Sequence, residues 1–126
     1  MTEQIHWTNA LSTRPSLEAA VADVVQQATS SLKAPADLGF VFISSAFMSE
    51  YSRLLPLLAE KLAVPALIGC SGGGIIGIAK DGHAQELESE PALSLTLAHL
   101  PGVNIHPFHL DTRPLHDHAM TCWPVP

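Results

Sequence analysis

Apolar residues at Leu17, Ala20, Val21, Val24, Val25, Ala28 and Leu32 recur every three or four positions. That spacing predicts a helix with one buried face, flanked by Glu18, Asp23, Gln26 and Gln27. Ser16 suits the N-cap, and Glu18 in the first turn suits the helix dipole. Before it, Ile5 to Leu11 alternates and reads as a first strand, with a break at Ser12 to Ser16. After a loop at Lys33 to Asp37, Leu38 to Ile43 is a continuous apolar run, the signature of a strand covered on both faces. Ser44, Ser45 and Ala46 end it. A second helix carries Leu54, Leu55, Leu57, Leu58 and Leu62, capped by Ser49 or Ser52. Pro56 fits if the regular helix starts near Ser52, and otherwise predicts a kink. Val64 to Cys70 reads as the third strand, giving two crossover units of a parallel sheet.

Beyond Cys70 the pattern changes. Ile75 to Ala79 and His83 to Leu87 flank Asp81-Gly82, a hairpin signal. Leu93, Leu95 and Leu97 alternate with Ser94, Thr96 and Ala98, as in a half-buried antiparallel strand. Pro101-Gly102 turns the chain into a last strand, Val103 to Leu110, which Pro107 places at an edge. The predicted class is therefore α/β. A βαβαβ parallel unit, with strands near 5–11, 38–43 and 64–70, precedes antiparallel strands near 75–79, 83–87, 92–99 and 103–110. Residues 1–110 form one unit, and 111–126, without periodicity, read as an irregular tail.

Composition sharpens this picture. A chain of 126 residues is one domain or part of one. Hydrophobic content of 47% with 14% charged residues fits a deeply buried sheet or a missing partner surface. A net charge of −6, with six scattered Lys and Arg, argues against nucleic-acid binding. Met1 to Gln4 is polar with no apolar signal region after it, and runs such as Val64 to Ile68 are far too short to span a bilayer. Cys70 and Cys122 are far apart and nothing forces a disulfide, so the expected compartment is the cytoplasm.

The candidate chemistry centres on Gly69-Cys70-Ser71-Gly72-Gly73-Gly74-Ile75-Ile76-Gly77, with five glycines in nine residues. Ser71 to Gly74 leave a line of peptide amides unshielded, and successive amides in such a turn can hold an anion. Ser12-Thr13, Ser44-Ser45 and Cys70-Ser71 each follow a predicted parallel strand, the end at which open α/β sheets bind ligands. Ser and Thr also mark loops and caps, which explains any single pair. The candidate ligand-binding residues are thus Ser12, Thr13, Ser44, Ser45, Cys70, Ser71, Gly72, Gly73 and Gly74.

Other constellations say less. Gly72-x-Gly74-x-x-Gly77 matches the dinucleotide fingerprint in letters, but the following residues read as β rather than helix. No cofactor is expected. Cys70 beside amide donors could act as a nucleophile, with His83, His99, His106 and His109 as available bases, none placed by spacing. His106, His109, His116, His118 and Cys122 lie within seventeen residues, but their spacing matches no structural zinc site. No metal is expected. Glu86, Glu88 and Glu90 read as an acidic rim.

The glycine segment, together with Glu90-Pro91-Ala92-Leu93-Ser94-Leu95, His99-Leu100-Pro101-Gly102-Val103 and Pro107-Phe108-His109, resembles the N-terminal part of a FIST domain. Asn9-Ala10-Leu11-Ser12 and Ala36 to Ser44 extend the resemblance to about residues 5–110. It implies an intracellular sensory domain of signal transduction that binds small ligands such as amino acids. The family lies beside output modules or stands alone, and in eukaryotes accompanies F-box domains. It implies no catalytic residues; only Gly69 to Gly77 carries over by position. Family chains run longer, with a further N-terminal portion and a C-terminal FIST portion not seen here, and Asp111 to Pro126 does not resemble their continuation. A sequence cut short, or read in a shifted frame near residue 111, is the expectation, leaving apolar surface exposed and favouring self-association.

The first functional expectation is a sensory module for a small ligand, an amino acid or small organic anion. Its partners would be that ligand and a missing FIST portion or signalling protein. The alternatives are a cysteine-dependent acyl-transfer or hydrolytic enzyme using Cys70, and a protein-interaction fragment.

Overall fold

A computed structural model describes residues 4–110. The apolar stripe of the first helix forms α1 (Leu17–Leu32), and all seven stripe residues are buried. The Ser16 hydroxyl accepts from the Ala19 N–H at 3.3 Å, satisfying one of the donors that a helix start leaves free. Lys33 closes the helix in the left-handed conformation, φ 55°.

The strands that precede and follow it are β1 (His6–Ser12) and β2 (Leu38–Ser44). A 3-10 turn, Ser45–Glu50, leads to α2 (Tyr51–Lys61). The cap differs from expectation. Neither Ser49 nor Ser52 caps α2, which starts at Tyr51 without a side-chain cap bond. Ser44 instead caps the 3-10 turn, its hydroxyl accepting from the Ala46 N–H at 3.1 Å. The non-helical backbone lies at Phe47 (φ −96°, ψ 18°), so the bend between turn and helix precedes Pro56.

Four strands make the main sheet, in the order β1-β6-β2-β3, with β3 at Leu67–Gly72 and β6 at Leu93–His99. β1, β2 and β3 share one direction, because β6 pairs antiparallel with both β1 and β2. Among the described residues, only β2 and β3 are hydrogen-bonded as a parallel pair. The crossover from β1 to β2 therefore skips a place, and the late strand β6 fills it. β4 (Gly74–Ile78) and β5 (Ala84–Glu88) form a separate antiparallel hairpin.

Position explains a second difference. β6 is not half-buried but central: Leu93, Leu95 and Leu97 pack under the helices, and Ser94 and Ala98 on the other face are buried as well. Each of the three leucines contributes about 1.5–3 kcal/mol by leaving water. The expected strand at 103–110 does not form. Pro107 lacks an N–H for a ladder, and the segment runs largely exposed, Phe108 most of all. Residues 111–126, read as a tail, lie outside the described part of the chain.

The result is three layers. α1 and α2 cover one face of the sheet, with Leu54 and Leu58 joining Val41 and Ile43 in the main core. The hairpin covers part of the other face, where Ile75 packs with Leu11 and Ala92. Beyond the hairpin that face exposes Trp7, stacked on Phe40 at 6.4 Å, and Phe42 and Ile68.

Candidate functional site

The C-terminal ends of β1, β2 and β3 lie along one end of the sheet, since Ser12 and Ile43 both pair with Leu93 and Ser44 pairs with Gly72. β6 spreads them apart. Three strand spacings separate β1 from β3, about 14 Å at about 4.8 Å each. The three polar pairs therefore occupy three different surroundings.

Cys70 and Ser71 line a groove of about 680 Å³ between β3 and α2. Its walls are Val41, Ile43, Tyr51, Leu54, Leu55 and Leu67, and Pro107, Phe108 and His109 close one side. The lining is mainly apolar. The glycine turn continues from its rim. Among the described residues nothing lies within 4 Å of a Cβ at Gly73, so they leave the turn open on that side. Its carbonyl is held by the Ser89 N–H at 3.3 Å. On the far side, a Cβ at Gly74 would lie 3.6 Å from Glu86 Oε1 and 3.8 Å from Glu88 Cγ. Carboxylates thus flank the amides expected to receive an anion. The glycines open β4 and not a helix, so no helix N-terminus faces them as the dinucleotide fingerprint requires.

Ser44 is buried. Its hydroxyl donates to the Glu90 carbonyl at 2.6 Å, tying the end of β2 to the approach of β6. Ser45 begins the 3-10 turn and is half-buried.

Ser12 and Thr13 line a second cleft, about 510 Å³, with Arg14, Asp23, Lys80, Asp81 and Gln85. Lys80 Nζ lies 2.9 Å from Asp23 Oδ1, joining the hairpin to α1. Burial pushes the Asp23 carboxyl up. Hydrogen bonds from Lys80, Ser12 and Gln27, with the Lys80 charge, outweigh burial and hold it below the ordinary value of 3.8.

Sequence reasoning missed Asp23 and Lys80 as a pair, because the two are brought together only by the hairpin folding over the sheet. It also missed the groove walls Tyr51 and Leu55, which read as ordinary helix positions. Of the four histidines weighed as bases, His109 alone lines the groove with Cys70. Among the described residues no group of three or more His, Cys, Asp or Glu is arranged to hold a metal. His116, His118 and Cys122 lie outside the described residues. Among those described, no helix is long and apolar enough to cross a membrane.

No curated protein and no solved structure matches the chain. A family model does, over more than half of the chain. The match takes in β2, the groove walls, the glycine turn and β6. With the FIST N domain model matching residues 37–113, the chain belongs to the FIST family.

Proposed function

We propose that this FIST domain is a sensory module of signal transduction, acting in the cytoplasm, and that it receives a small amino acid with an apolar side chain. The observation that carries the reading is the continuity of the unobstructed Gly73 turn with the apolar groove beside Cys70 and Ser71. An apolar side chain would enter between Val41, Ile43 and Leu54. The ligand carboxylate would take the peptide N–H groups of Ser71, Gly73 and Gly74, the Gly72 N–H being turned into the ladder with β2. Its ammonium group would face Glu86 and Glu88, whose charges disfavour a simple anion. The Ser71 hydroxyl would assist. Thr13 and Ser12 belong to the other cleft, and the Ser44 hydroxyl is already engaged; they take no part in this pose. Ligand occupancy would be passed on to an output partner.

A thermal-shift screen of amino acids and small organic acids tests this. Apolar amino acids should raise Tm and Gly73→Val should remove the shift, since a ligand that binds only the folded state stabilises it by mass action. An equal shift in the variant would take the turn out of the site.

A second reading is favoured by one observation: Cys70 and His109 line the same groove. A thiol with a nearby base is the minimum for covalent acyl transfer or hydrolysis. Cys70→Ser separates the two readings. A receptor keeps its ligand-induced shift; an enzyme loses turnover.

A further inference from the structure

Two large apolar side chains stand at the mouth of the groove between β3 and α2. Leu55 on α2 is 61% exposed, and Phe108 on the facing segment is 80% exposed. Behind them Val41, Ile43 and Leu54 are buried. A single exposed apolar residue is ordinary on a surface. Here two of them flank one apolar groove, so a molecule seated between them would take both from water at once.

The two lips differ in how they are held. Leu55 is fixed on a helix. Phe108 lies in 103–110, which carries neither helix nor strand. The base of that segment is anchored to the loop before β2. The Leu100 N–H donates to Asp37 Oδ2 at 2.7 Å, and His99 Nδ1 lies 2.8 Å from the Pro35 carbonyl oxygen. A turn with Gly102 at φ 78° then brings the Val103 N–H to the Leu100 carbonyl at 3.2 Å. Pro107, next to the ring, has a fixed φ and keeps His106 extended. The chain therefore loses little further freedom when the Phe108 ring settles in one place.

We propose, resting on the reading of this groove as an amino-acid receptor, that Phe108 is its specificity-determining residue and that aromatic amino acids are its ligand class. The Phe108 ring turns inward over the ligand side chain, which lies between it and Leu55. Small-molecule sites bury most of the ligand surface, and a groove with an open mouth does so only once a wall comes over it. The volume of about 680 Å³ leaves room for a ring as well as for the closing wall. An aliphatic side chain gains apolar contact alone. An aromatic one also gains offset or edge-to-face contact with Phe108, which makes binding about two- to tenfold tighter.

Calorimetric titration of the full chain with L-phenylalanine and L-leucine tests this. The wild type should bind both, phenylalanine at least about twofold tighter. Phe108→Ala should weaken phenylalanine more than leucine and abolish the preference. Phe108→Leu keeps an apolar wall without a ring; it should bind leucine about as well as the wild type and show no preference for phenylalanine. Because Phe108 is so exposed, both variants should keep the circular dichroism of the wild type. A wild type that binds neither amino acid overturns the receptor reading and the role of Phe108 with it. A wild type that binds both without favouring phenylalanine overturns the role of Phe108 alone. So does a preference for phenylalanine that persists in either variant, or a folded Phe108→Leu that binds neither.

Discussion

Asn9 on β1 and Ile78 on β4 are joined by a hydrogen bond, from the Ile78 N–H to Asn9 Oδ1, at 2.7 Å. The other end of the same amide donates to Ser94 Oγ at 3.0 Å and Thr96 Oγ1 at 2.9 Å on β6. One side chain thus ties the hairpin to the sheet. Asn9→Ala removes all three bonds from a half-buried position. It should cost about 1–3 kcal/mol in urea unfolding, because the groups it leaves behind lose their partners. Near-neutral stability would show that packing of Ile75 holds the hairpin without it.

Gly77 lies against the same contact. A Cβ there would sit 2.8 Å from Leu11 Cβ and 3.0 Å from Asn9 Oδ1. Gly77→Ala should lower stability by about 1–3 kcal/mol through overpacking. Gly73→Ala, where no described residue lies within 4 Å, should change it by less than about 0.5 kcal/mol. Paired thermal melts of the two variants read the contrast.

The buried Ser44 hydroxyl bridges two segments far apart in the chain, from the Ala46 N–H to the Glu90 carbonyl. Ser44→Ala should destabilise by about 1–3 kcal/mol. It should leave the ligand-induced thermal shift of the folded protein intact. Loss of that shift with stability unchanged would return Ser44 to the site.

Asp23 gives the fold a pH dependence of known sign. Its folded pKa lies below the ordinary 3.8, so ionisation stabilises the folded state. That contribution is fully present above 3.8 and fades as pH falls through the lower folded value. Lys80 is largely exposed, so the pair adds only about 0.5–1 kcal/mol at neutral pH. Asp23→Asn should therefore lie slightly below wild type in Tm at neutral pH and converge with it in acid. A gap that widens on acidification would contradict the assignment.

Local pattern made much of this fold legible. The stripe from Leu17 to Leu32 specifies α1 by burying its apolar residues at the helical period. The run from Leu38 to Ile43 specifies β2, but not the coverage of both faces expected of it: Val41 and Ile43 are buried under the helices, while Leu38 and Phe40 are half-buried and Phe42 is exposed on the face the hairpin leaves open. What pattern could not convey was non-local. Ser94 and Thr96 look solvent-facing beside the leucines of β6. Ser94 is buried because Gly77, seventeen residues earlier, lets the hairpin come down on it. The strand-end rule located Ser12 and Cys70 at one end of the sheet. It could not foresee β6 between β1 and β2, which divides one expected pocket into two clefts. The 3-10 turn after Ser44 was likewise hidden, since the leucines of α2 are compatible with several starting points.

The central claim is that the glycine turn after β3 receives a small molecule. The most direct measurement is an amide NMR titration of labelled protein with L-leucine. Shifts concentrated at Cys70, Ser71, Gly72, Gly73 and Gly74, absent in Gly73→Val, are the predicted result. No shifts at these amides, or shifts confined to Thr13, Arg14 and Lys80 across the sheet, would contradict it.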